Sequence, residues 1–160
     1  MKKNVPVTAT LRVLKYWNVD FSLKLYKYEG KGGTRVSARE LHVEEHRVIK
    51  TLVTEDERKQ PLIVLMHGDR QVSTKSLARV LGVKHITPCD PKIAEKHTGY
   101  KVGGTSPFGT KKPLPVYMEG SIADMQKILI NAGSQGMLVE IESSDLIRVL
   151  NPILVNIARE

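Results

Sequence analysis

Cysteine is nearly absent from this sequence of 160 residues, and its scarcity excludes two kinds of site. Cys89 is the only cysteine, so the chain can neither form an internal disulfide nor bind a metal through several thiolates. A nucleophilic cysteine would require a histidine or another base beside it, which the sequence does not reveal. We therefore expect Cys89 to be a half-buried structural thiol.

Long apolar segments are also missing. The longest apolar run, Leu62 to Met66, is far shorter than the roughly 20 residues of a membrane-spanning helix. Lys2 and Lys3 are not followed by the apolar core of a signal peptide. Internal repeats and low-complexity stretches are absent as well. These features predict a cytoplasmic protein that does not enter a membrane, with residues 1–160 forming one domain.

Acidic residues are outnumbered, because 17 Asp and Glu stand against 25 Lys and Arg, for a formal net charge of +8. Such an excess favours a polyanionic partner, since binding to a nucleic acid releases its condensed counterions. The hydrophobic fraction of 41% is sufficient for a packed core. Charge and composition therefore permit a nucleic-acid partner without identifying one.

Helix signals recur along the chain as capping residues placed before apolar positions at helical spacing. Proline is favoured at the first helical position, and glycine often ends a helix in the left-handed conformation. The predicted helices run from Thr8 to about Trp17, from a capping box at Ser37 to Glu40, from Ser73 to Gly82, from Asp90 to Gly99, and from Ser144 towards Leu150.

Strand signals alternate irregularly with these helices, which does not fit a doubly wound βαβ order. The predicted strands are Phe21 to Tyr28, Val48 to Val53, Leu62 to Met66, Val116 to Met118, and a hairpin of Ile128 to Ile130 with Leu138 to Ile141 around a five-residue loop, Ala132 to Gly136. Leu62 to Met66 is continuously apolar and is expected to be buried on both faces. The sequence predicts an α/β protein with a mixed, largely antiparallel sheet and helices packed around it.

Tyr26 lies on the polar face of the first predicted strand. Phe21, Leu23 and Leu25 alternate with it and point to the opposite, aliphatic face. If that aliphatic face packs on the core, Tyr26 faces whatever lies across the sheet. The glycine-rich stretch after this strand, Glu29 to Thr34, is predicted to be a mobile loop.

One motif suggests a metal but is discounted. The stretch His42 to His46 matches the H-x-x-E-H pattern of inverted zinc proteases, in which both histidines reach the metal from one helix. The capping box at Ser37 allows only a short helix, and Val48 already begins a strand. A further ligand from a distant helix is not evident, so we predict no metal site.

Two other features are candidates for chemistry. Lys50 lies in the middle of an apolar strand, either snorkelling to solvent or directing its ammonium group at a ligand. The loop at Gly103 and Gly104 allows close backbone approach and offers N–H donors for an oxyanion, with Ser106 nearby and Lys111-Lys112 following. A surface loop joining a helix to a strand has the same composition, so neither feature is specific alone.

A family resemblance connects the two features. Lys50-Thr51-Leu52, Thr98-Gly99-Tyr100, Val102 to Gly109, and Asn131-Ala132-Gly133 occur in the order seen in the YbaK family of free-standing Cys-tRNA(Pro) deacylases. That family is related to the editing domain inserted in bacterial prolyl-tRNA synthetases. The resemblance runs from about Pro6 to Leu150, and the strand lysine combined with the G-x-x-x-P loop is its most specific part.

The resemblance implies a fold, a substrate and a set of site residues. The fold is a sheet curled towards a barrel, and the substrate is mischarged tRNA(Pro), with prolyl-tRNA synthetase as a further partner and no cofactor. Lys50 is implied to orient the aminoacyl ester and the terminal ribose, and the Gly103 N–H to bind the developing oxyanion. The implied substrate-binding residues are Tyr26, Thr51, Gly104, Ser106, Pro107 and Asn131.

The resemblance also implies a reaction in which the thiol of the esterified cysteine attacks its own carbonyl and leaves as a cyclic thiolactone. Such an enzyme would supply positioning and charge stabilisation instead of a nucleophile. The chain departs from the family at Gly32 to Arg35, where known members have an aromatic residue, and at Leu138, where some have an acidic one. The cleaved substrate is therefore either Cys-tRNA, including Cys-tRNA(Cys), or a hydrolysed small aminoacyl-tRNA such as Ala-tRNA(Pro). A non-catalytic module that binds tRNA or a synthetase is the alternative from another class.

Overall fold

The computed structural model describes residues 5–160, which contain five α-helices and ten strands. The helices are α1 (Ala9–Tyr16), α2 (Gly33–Leu41), α3 (Thr74–Leu81), α4 (Pro91–Thr98) and α5 (Ser143–Leu150), and 3-10 turns lie at Glu45–Arg47 and Gly120–Asp124. The strands are β1 (Ser22–Leu25), β2 (Val48–Asp56), β3 (Pro61–His67), β4 (Gln71–Val72), β5 (Ile86–Pro88), β6 (Val116–Glu119), β7 (Lys127–Ser134), β8 (Met137–Glu142), β9 (Ile153–Val155) and β10 (Ala158–Arg159). None of the five helices combines the length and apolar character needed to cross a bilayer.

One mixed sheet organises the chain, as predicted. Its strand order is β1-β8-β7-β2-β3-β6-β9, and β5 adds to β2. The longest pairings, β2 with β3 and β7 with β8, are antiparallel, whereas β2 with β7, β3 with β6 and β6 with β9 are parallel. Because β1 and β9 are not paired with each other, the sheet in the described residues is open and not a closed barrel.

Three of the predicted helix starts are confirmed by their caps. The Thr8 hydroxyl accepts from the Leu11 N–H at 3.2 Å, the Ser73 hydroxyl accepts from the Ser76 N–H at 3.2 Å, and an Asp90 carboxylate oxygen accepts from Lys92. Each bond satisfies a backbone donor that a helix leaves free in its first turn. Gly82 and Gly99 end α3 and α4 in the left-handed conformation, also as predicted.

The capping box at Ser37 is wrong. Helix α2 already begins at Gly33, so Ser37 lies inside the helix and donates its hydroxyl proton to the Thr34 carbonyl at 3.1 Å. Val36 and Ala38 are buried in the same turn. Packing of this face favours the earlier start, and only the first part of the predicted mobile loop lies outside the helix.

The hairpin and the last helix also differ from the prediction. Strand β7 continues to Ser134, so the turn to β8 has two residues between the strands instead of five. The carboxamide oxygen of Asn131 accepts from the N–H groups of Gly133 at 2.7 Å and Ser134 at 3.1 Å, and the register shifts there as in a β-bulge. Helix α5 begins at Ser143 with Glu142 as its N-cap, so the predicted cap at Ser144 is wrong, and the buried Ser143 hydroxyl donates to the Met125 carbonyl.

Strand β3 is buried on both faces, as its continuous apolar sequence predicts. Ile63 and Leu65 belong to a core shared with α1, α5 and Phe108, whereas Leu62, Val64 and Met66 pack with Leu77 of α3. All seven residues of β3 are buried. The central strands β2 and β3 are therefore held between helices on opposite faces, which makes their ends a rigid base for a site.

Gly68, directly after β3, provides a test of this rigidity. A Cβ at this position would lie 2.7 Å from the Glu45 carbonyl oxygen and 2.8 Å from both the Thr34 hydroxyl and the Val48 carbonyl oxygen. We expect Gly68→Ala to lower the free energy of unfolding by about 2–3 kcal/mol in urea denaturation. The control is Gly30→Ala, which meets nothing within 4 Å and should change it by less than about 0.5 kcal/mol. Equal stability of the two variants would contradict the packing described.

Candidate functional site

The sheet opens where β2 changes its partner. Strand β2 pairs with β7 only at Val48 and Ile49, and it pairs with β5 only from Thr54 onward. Strand β7 turns away at its bulge, so no strand covers this edge of β2 in between. Lys50 and Thr51 lie on this uncovered stretch. The backbone edge of β2 at these residues, which a neighbouring strand would normally pair with, is therefore available to a ligand.

A cavity of about 320 Å³ occupies this opening. Its size is at the lower end of the roughly 300–1,000 Å³ typical of ligand sites, so it accommodates a small ligand or the end of a larger one. The lining residues come from the segment after β1, from α2, β2, the glycine loop, β7 and β8: Tyr26, Tyr28, Glu29, Lys31, Gly33, Thr34, Val36, Ser37, Val48, Ile49, Lys50, Thr51, Leu52, Val102, Gly103, Thr105, Asn131 and Leu138.

Lys50 directs its ammonium group along the cavity wall to a backbone carbonyl. Its Nζ donates to the Arg70 carbonyl oxygen at 2.5 Å. Partial burial lowers the pKa of Lys50, and the nearby carboxylates of Glu45 and Asp69 oppose that shift. The lysine is therefore a fixed cation in the cavity and not a side chain extended into solvent, which was the other interpretation of the sequence.

The turn that carries the Arg70 carbonyl is held by a histidine and a carboxylate. His46 Nδ1 lies 2.7 Å from an Asp69 carboxylate oxygen, and the Arg70 N–H donates to the His67 carbonyl at 3.1 Å. The imidazole of His67 stacks on that of His46 with the ring centroids 3.7 Å apart, and burial lowers the pKa of His67. The Arg70 carbonyl, which accepts from Lys50, is thus held in a turn fixed by the His46–Asp69 contact and by the backbone bond to His67.

The H-x-x-E-H motif contributes to this turn and is not arranged as in the zinc proteases. His42 ends α2 in the left-handed conformation, whereas His46 lies in the following 3-10 turn, so the two histidines are not on one helix. Within residues 5–160, no group of three or more His, Cys, Asp or Glu side chains is arranged to bind a metal. The Glu45 carboxylate instead accepts from the Thr34 hydroxyl at 2.7 Å.

The glycine loop lines the same cavity as Lys50, and hydrogen bonds to the β7–β8 hairpin fix its backbone. The Asn131 carboxamide donates to the Gly103 carbonyl at 3.0 Å, and that of Gln135 donates to the Val102 carbonyl at 2.8 Å. Gly103 has φ +83°, and any side chain there would overlap the Tyr28 phenol. Among the described residues, the Gly103 N–H has no hydrogen-bond acceptor, so this donor is available to a ligand.

Three of the predicted substrate-binding residues lie behind the cavity wall and not on it. Ser106 is fully buried, and its hydroxyl bonds the Thr10 hydroxyl at 2.6 Å and accepts from the Phe108 N–H at 3.1 Å. Pro107 is buried beside it, and Gly104 packs against the β7–β8 turn while its N–H donates to the Lys101 carbonyl. These residues hold the shape of the loop, and their hydroxyl and N–H groups are already engaged.

Tyr26 and Thr51 line the cavity together with Lys50, Gly103 and Asn131. Burial raises the pKa of Tyr26, and the neighbouring Tyr28 raises it further, so the phenol remains protonated near neutral pH. Strand β1 ends at Leu25, so Tyr26 is placed by the segment after the strand and by its N–H bond to the Gly136 carbonyl at 3.0 Å. The Thr51 hydroxyl oxygen is buried without a hydrogen-bond partner among the described residues.

Sequence reasoning did not assign a role in this site to Tyr28, Asp69 or Arg70. Tyr28 lies two residues after Tyr26 in the predicted strand, so the period-two alternation puts both tyrosines on one face and could have indicated Tyr28 as a site residue. Arg70 acts through its backbone carbonyl, and the residue type at a position does not predict a contact made by the backbone. Gly33, Thr34 and Leu138, where the chain departs from the family pattern, were expected to lie around the pocket and do line the cavity, although Thr34 belongs to α2 and not to the predicted mobile loop.

The contact between Lys50 and its turn yields a prediction about charge. Replacing Asp69 by Asn removes a negative charge that raises the pKa of Lys50, so the pKa should fall further below its usual value. Side-chain NMR titration of the lysine ammonium groups measures this directly. Asp145→Asn, which breaks the distant Asp145–Arg148 pair, is the control and should leave Lys50 unchanged. A raised or unaltered pKa in Asp69→Asn would contradict the electrostatic coupling.

The chain is similar in sequence to a protein named as a Cys-tRNA deacylase and to proline–tRNA ligases. A protein of Enterococcus faecalis (strain ATCC 700802 / V583) is 29% identical over 153 residues, which are 94% of this chain and 92% of that protein. Its name is "Putative Cys-tRNA(Pro)/Cys-tRNA(Cys) deacylase EbsC". The proline–tRNA ligase of Moorella thermoacetica (strain ATCC 39073 / JCM 9320) is 32% identical over 96 residues, which are 60% of this chain and 16% of the ligase.

A solved structure and a family model complete the comparison. The structure titled "Crystal structure of a putative trans-editing enzyme for prolyl tRNA synthetase" has a TM-score of 0.82 at 17% identity, and the match covers 98% of this chain and 100% of that one. At that identity the likeness speaks for the fold. The model of the aminoacyl-tRNA editing domain matches residues 32–149, a range that includes Lys50, Gly103 and Asn131. This chain therefore belongs to the aminoacyl-tRNA editing domain family.

Proposed function

We propose that this protein acts in trans to deacylate Cys-tRNA(Pro) by assisting the thiol of the esterified cysteine. One observation carries the proposal: a single cavity of about 320 Å³ is lined by both Lys50 and Gly103, whose N–H has no acceptor among the described residues. No cysteine or histidine is among the residues that line it. This favours a reaction in which the substrate brings its own nucleophile. The name of the Enterococcus faecalis relative supports cysteine as the amino acid.

The proposed reaction begins with attack of the cysteine sulfur on its own ester carbonyl carbon. A C–S bond forms, negative charge develops on the carbonyl oxygen, and the C–O bond to the terminal ribose then breaks. The thiol proton ends on the ribose oxygen, and the products are a cyclic thiolactone and tRNA with a free terminal hydroxyl. The barrier falls when a donor stabilises the oxyanion and the ester is held close to its attack geometry.

Each cavity residue has a place in this scheme. The Gly103 N–H donates to the developing oxyanion, and Lys50 contacts the terminal ribose and the ester oxygens. The buried Thr51 hydroxyl and the Tyr26 phenol donate to or accept from polar atoms of the aminoacyl group. Asn131 acts indirectly, because its carboxamide holds the Gly103 carbonyl and thereby orients the loop. Gly104, Ser106 and Pro107 support the same loop from behind.

The amino acid side chain is expected to contact an apolar part of the wall. Val36, Val48 and Leu138 line the cavity, and Tyr26 packs against the cluster that contains Val48 and Leu138. Such a surface accepts a thiol or a methyl group readily, so alanine is the alternative amino acid, released by water instead of a thiol. Selection of tRNA(Pro) can come from a complex with prolyl-tRNA synthetase, because the cavity accommodates only the end of the tRNA.

The central test replaces the cation. We expect Lys50→Ala to lower kcat/KM for Cys-tRNA(Pro) by about 100-fold or more, because a preorganised charged donor is lost from a partly desolvated site. The control, Lys127→Ala, removes an exposed lysine at the start of β7, outside the cavity. It should retain wild-type activity. Full activity of Lys50→Ala would reject the mechanism, and inactivity of the wild type on both Cys-tRNA(Pro) and Ala-tRNA(Pro) would favour a non-catalytic binding module.

Product analysis separates the two chemical routes. If the substrate thiol is the nucleophile, mass spectrometry of quenched reactions should detect the cysteine thiolactone before it hydrolyses. Ala-tRNA(Pro), which lacks a thiol, should then be cleaved at least about 100-fold more slowly than Cys-tRNA(Pro). Comparable rates on both substrates, with no thiolactone, would establish hydrolysis by water. In that case Thr34→Val is the next variant to assay, because Thr34 lines the cavity and its hydroxyl donates to the Glu45 carboxylate.

A further inference from the structure

The positive charge of the chain is concentrated beside the cavity. Residues 91–112 contain five lysines and one glutamate, so five positive charges less one negative charge leave +4 of the total of +8. All five lysines are exposed, and four of them lie in the last turn of α4 or in the loop that follows it: Lys96, Lys101, Lys111 and Lys112. We call the region that they form the α4–loop surface.

Backbone hydrogen bonds hold Lys111 and Lys112 against the end of α4, close to Lys96. The Lys111 N–H donates to the Thr98 carbonyl at 3.0 Å, and the Lys112 N–H donates to the His97 carbonyl at 2.9 Å. The two later lysines are therefore fixed against the last turn of α4, which carries Lys96. These bonds also satisfy helix carbonyls that would otherwise lack a partner.

The same segment continues to the cavity. Tyr100, which follows the end of α4, anchors the chain through its phenol, which donates to the buried Phe108 carbonyl at 2.5 Å. Lys101 comes next, and its carbonyl accepts from the Gly104 N–H at 2.8 Å. Val102 and Gly103 then line the cavity. The α4–loop surface is thus a rigid extension of the wall that holds the proposed oxyanion donor.

The four lysines are not neutralised by the protein. Within residues 5–160, none of them lies within ion-pair distance of a carboxylate. Arg39, Arg47 and Arg148, by contrast, all pair with carboxylates elsewhere on the molecule. A helix C-terminus attracts cations, but its partial charge of about half a unit does not account for four lysines. Their repulsion is relieved by a polyanion with charges at regular spacing.

We propose that the α4–loop surface binds the sugar–phosphate backbone of the tRNA acceptor arm and so directs the terminal aminoacyl ester into the cavity. The proposal rests on the function proposed above, because the ester defines which end of the tRNA reaches the site. Nucleotides next to the ester must cross the rim of the cavity, and the α4–loop surface borders that rim at Val102. Phosphate contacts of this kind position the substrate without reading its sequence.

Charge reversal on the surface tests the proposal. Lys111→Glu combined with Lys112→Glu should raise KM for Cys-tRNA(Pro) at least about tenfold, with kcat less affected. Cleavage of cysteine esterified to adenosine alone, which has no phosphate backbone, should change by less than about threefold, since the cavity is intact. The milder pair Lys111→Gln with Lys112→Gln should reduce the slope of log KM against log salt by roughly two, one for each lost phosphate contact.

A second basic region supplies the control. Lys75 and Arg79 are exposed on α3 and line a separate groove that shares no residue with the cavity. Lys75→Glu with Arg79→Glu changes the net charge by the same amount as the reversal at Lys111 and Lys112. It should leave KM for Cys-tRNA(Pro) within about threefold of wild type. An equal loss in both double variants would overturn the proposal, as would an unchanged KM at Lys111 and Lys112.

Binding of uncharged tRNA(Pro) separates this proposal from the function on which it rests. If wild type cleaves neither the tRNA nor the adenosine ester, the proposed function fails. The dissociation constant for uncharged tRNA, measured by fluorescence anisotropy, still tests the surface. It should rise at least about tenfold in Lys111→Glu/Lys112→Glu and not in the α3 control. Thermal melts confirm that both variants fold, and equal affinity in the two would reject the surface.

Discussion

The bond between the Lys50 ammonium group and the Arg70 carbonyl is the contact around which the site is arranged. A lysine in the interior of a sheet is unfavourable unless its charge has a partner, and the carbonyl supplies one without neutralising it. The carbonyl is held in turn by the His46–Asp69 pair and by the close packing of Gly68. The central sheet thus fixes a full positive charge at the cavity wall before any ligand arrives.

The cavity exists because the strands of one sheet separate. Strand β2 changes partner from β7 to β5, and the Asn131 bulge turns β7 away at that point. The same asparagine holds the Gly103 carbonyl across the opening. One side chain therefore both opens the sheet and fixes the loop that lines the cavity. The site is therefore formed by the sheet itself and not by a loop added to it.

The sequence predicted the parts of this structure that depend on local patterns. The helix caps at Thr8, Ser73 and Asp90 and the doubly buried β3 follow from side-chain chemistry within a few residues. The predictions for the start of α2 and for the length of the β7–β8 turn were wrong. Tertiary packing determines the first, and the Asn131 side-chain amide determines the second, against local propensity. For the site, Lys50 and Gly103 were identified only in combination, through family resemblance. No pattern could show that the Ser106 hydroxyl is already bonded to Thr10.

The Thr51 hydroxyl is a polar group without a hydrogen-bond partner among the described residues, on a strand that lines the cavity. A buried polar oxygen without a partner is typically unfavourable by about 1–3 kcal/mol, and a ligand with a matching polar atom removes that penalty on binding. If the proposed substrate supplies such an atom, we expect its binding to be favoured over that of a compound of the same shape that lacks the atom, although nothing in the cavity repels that compound.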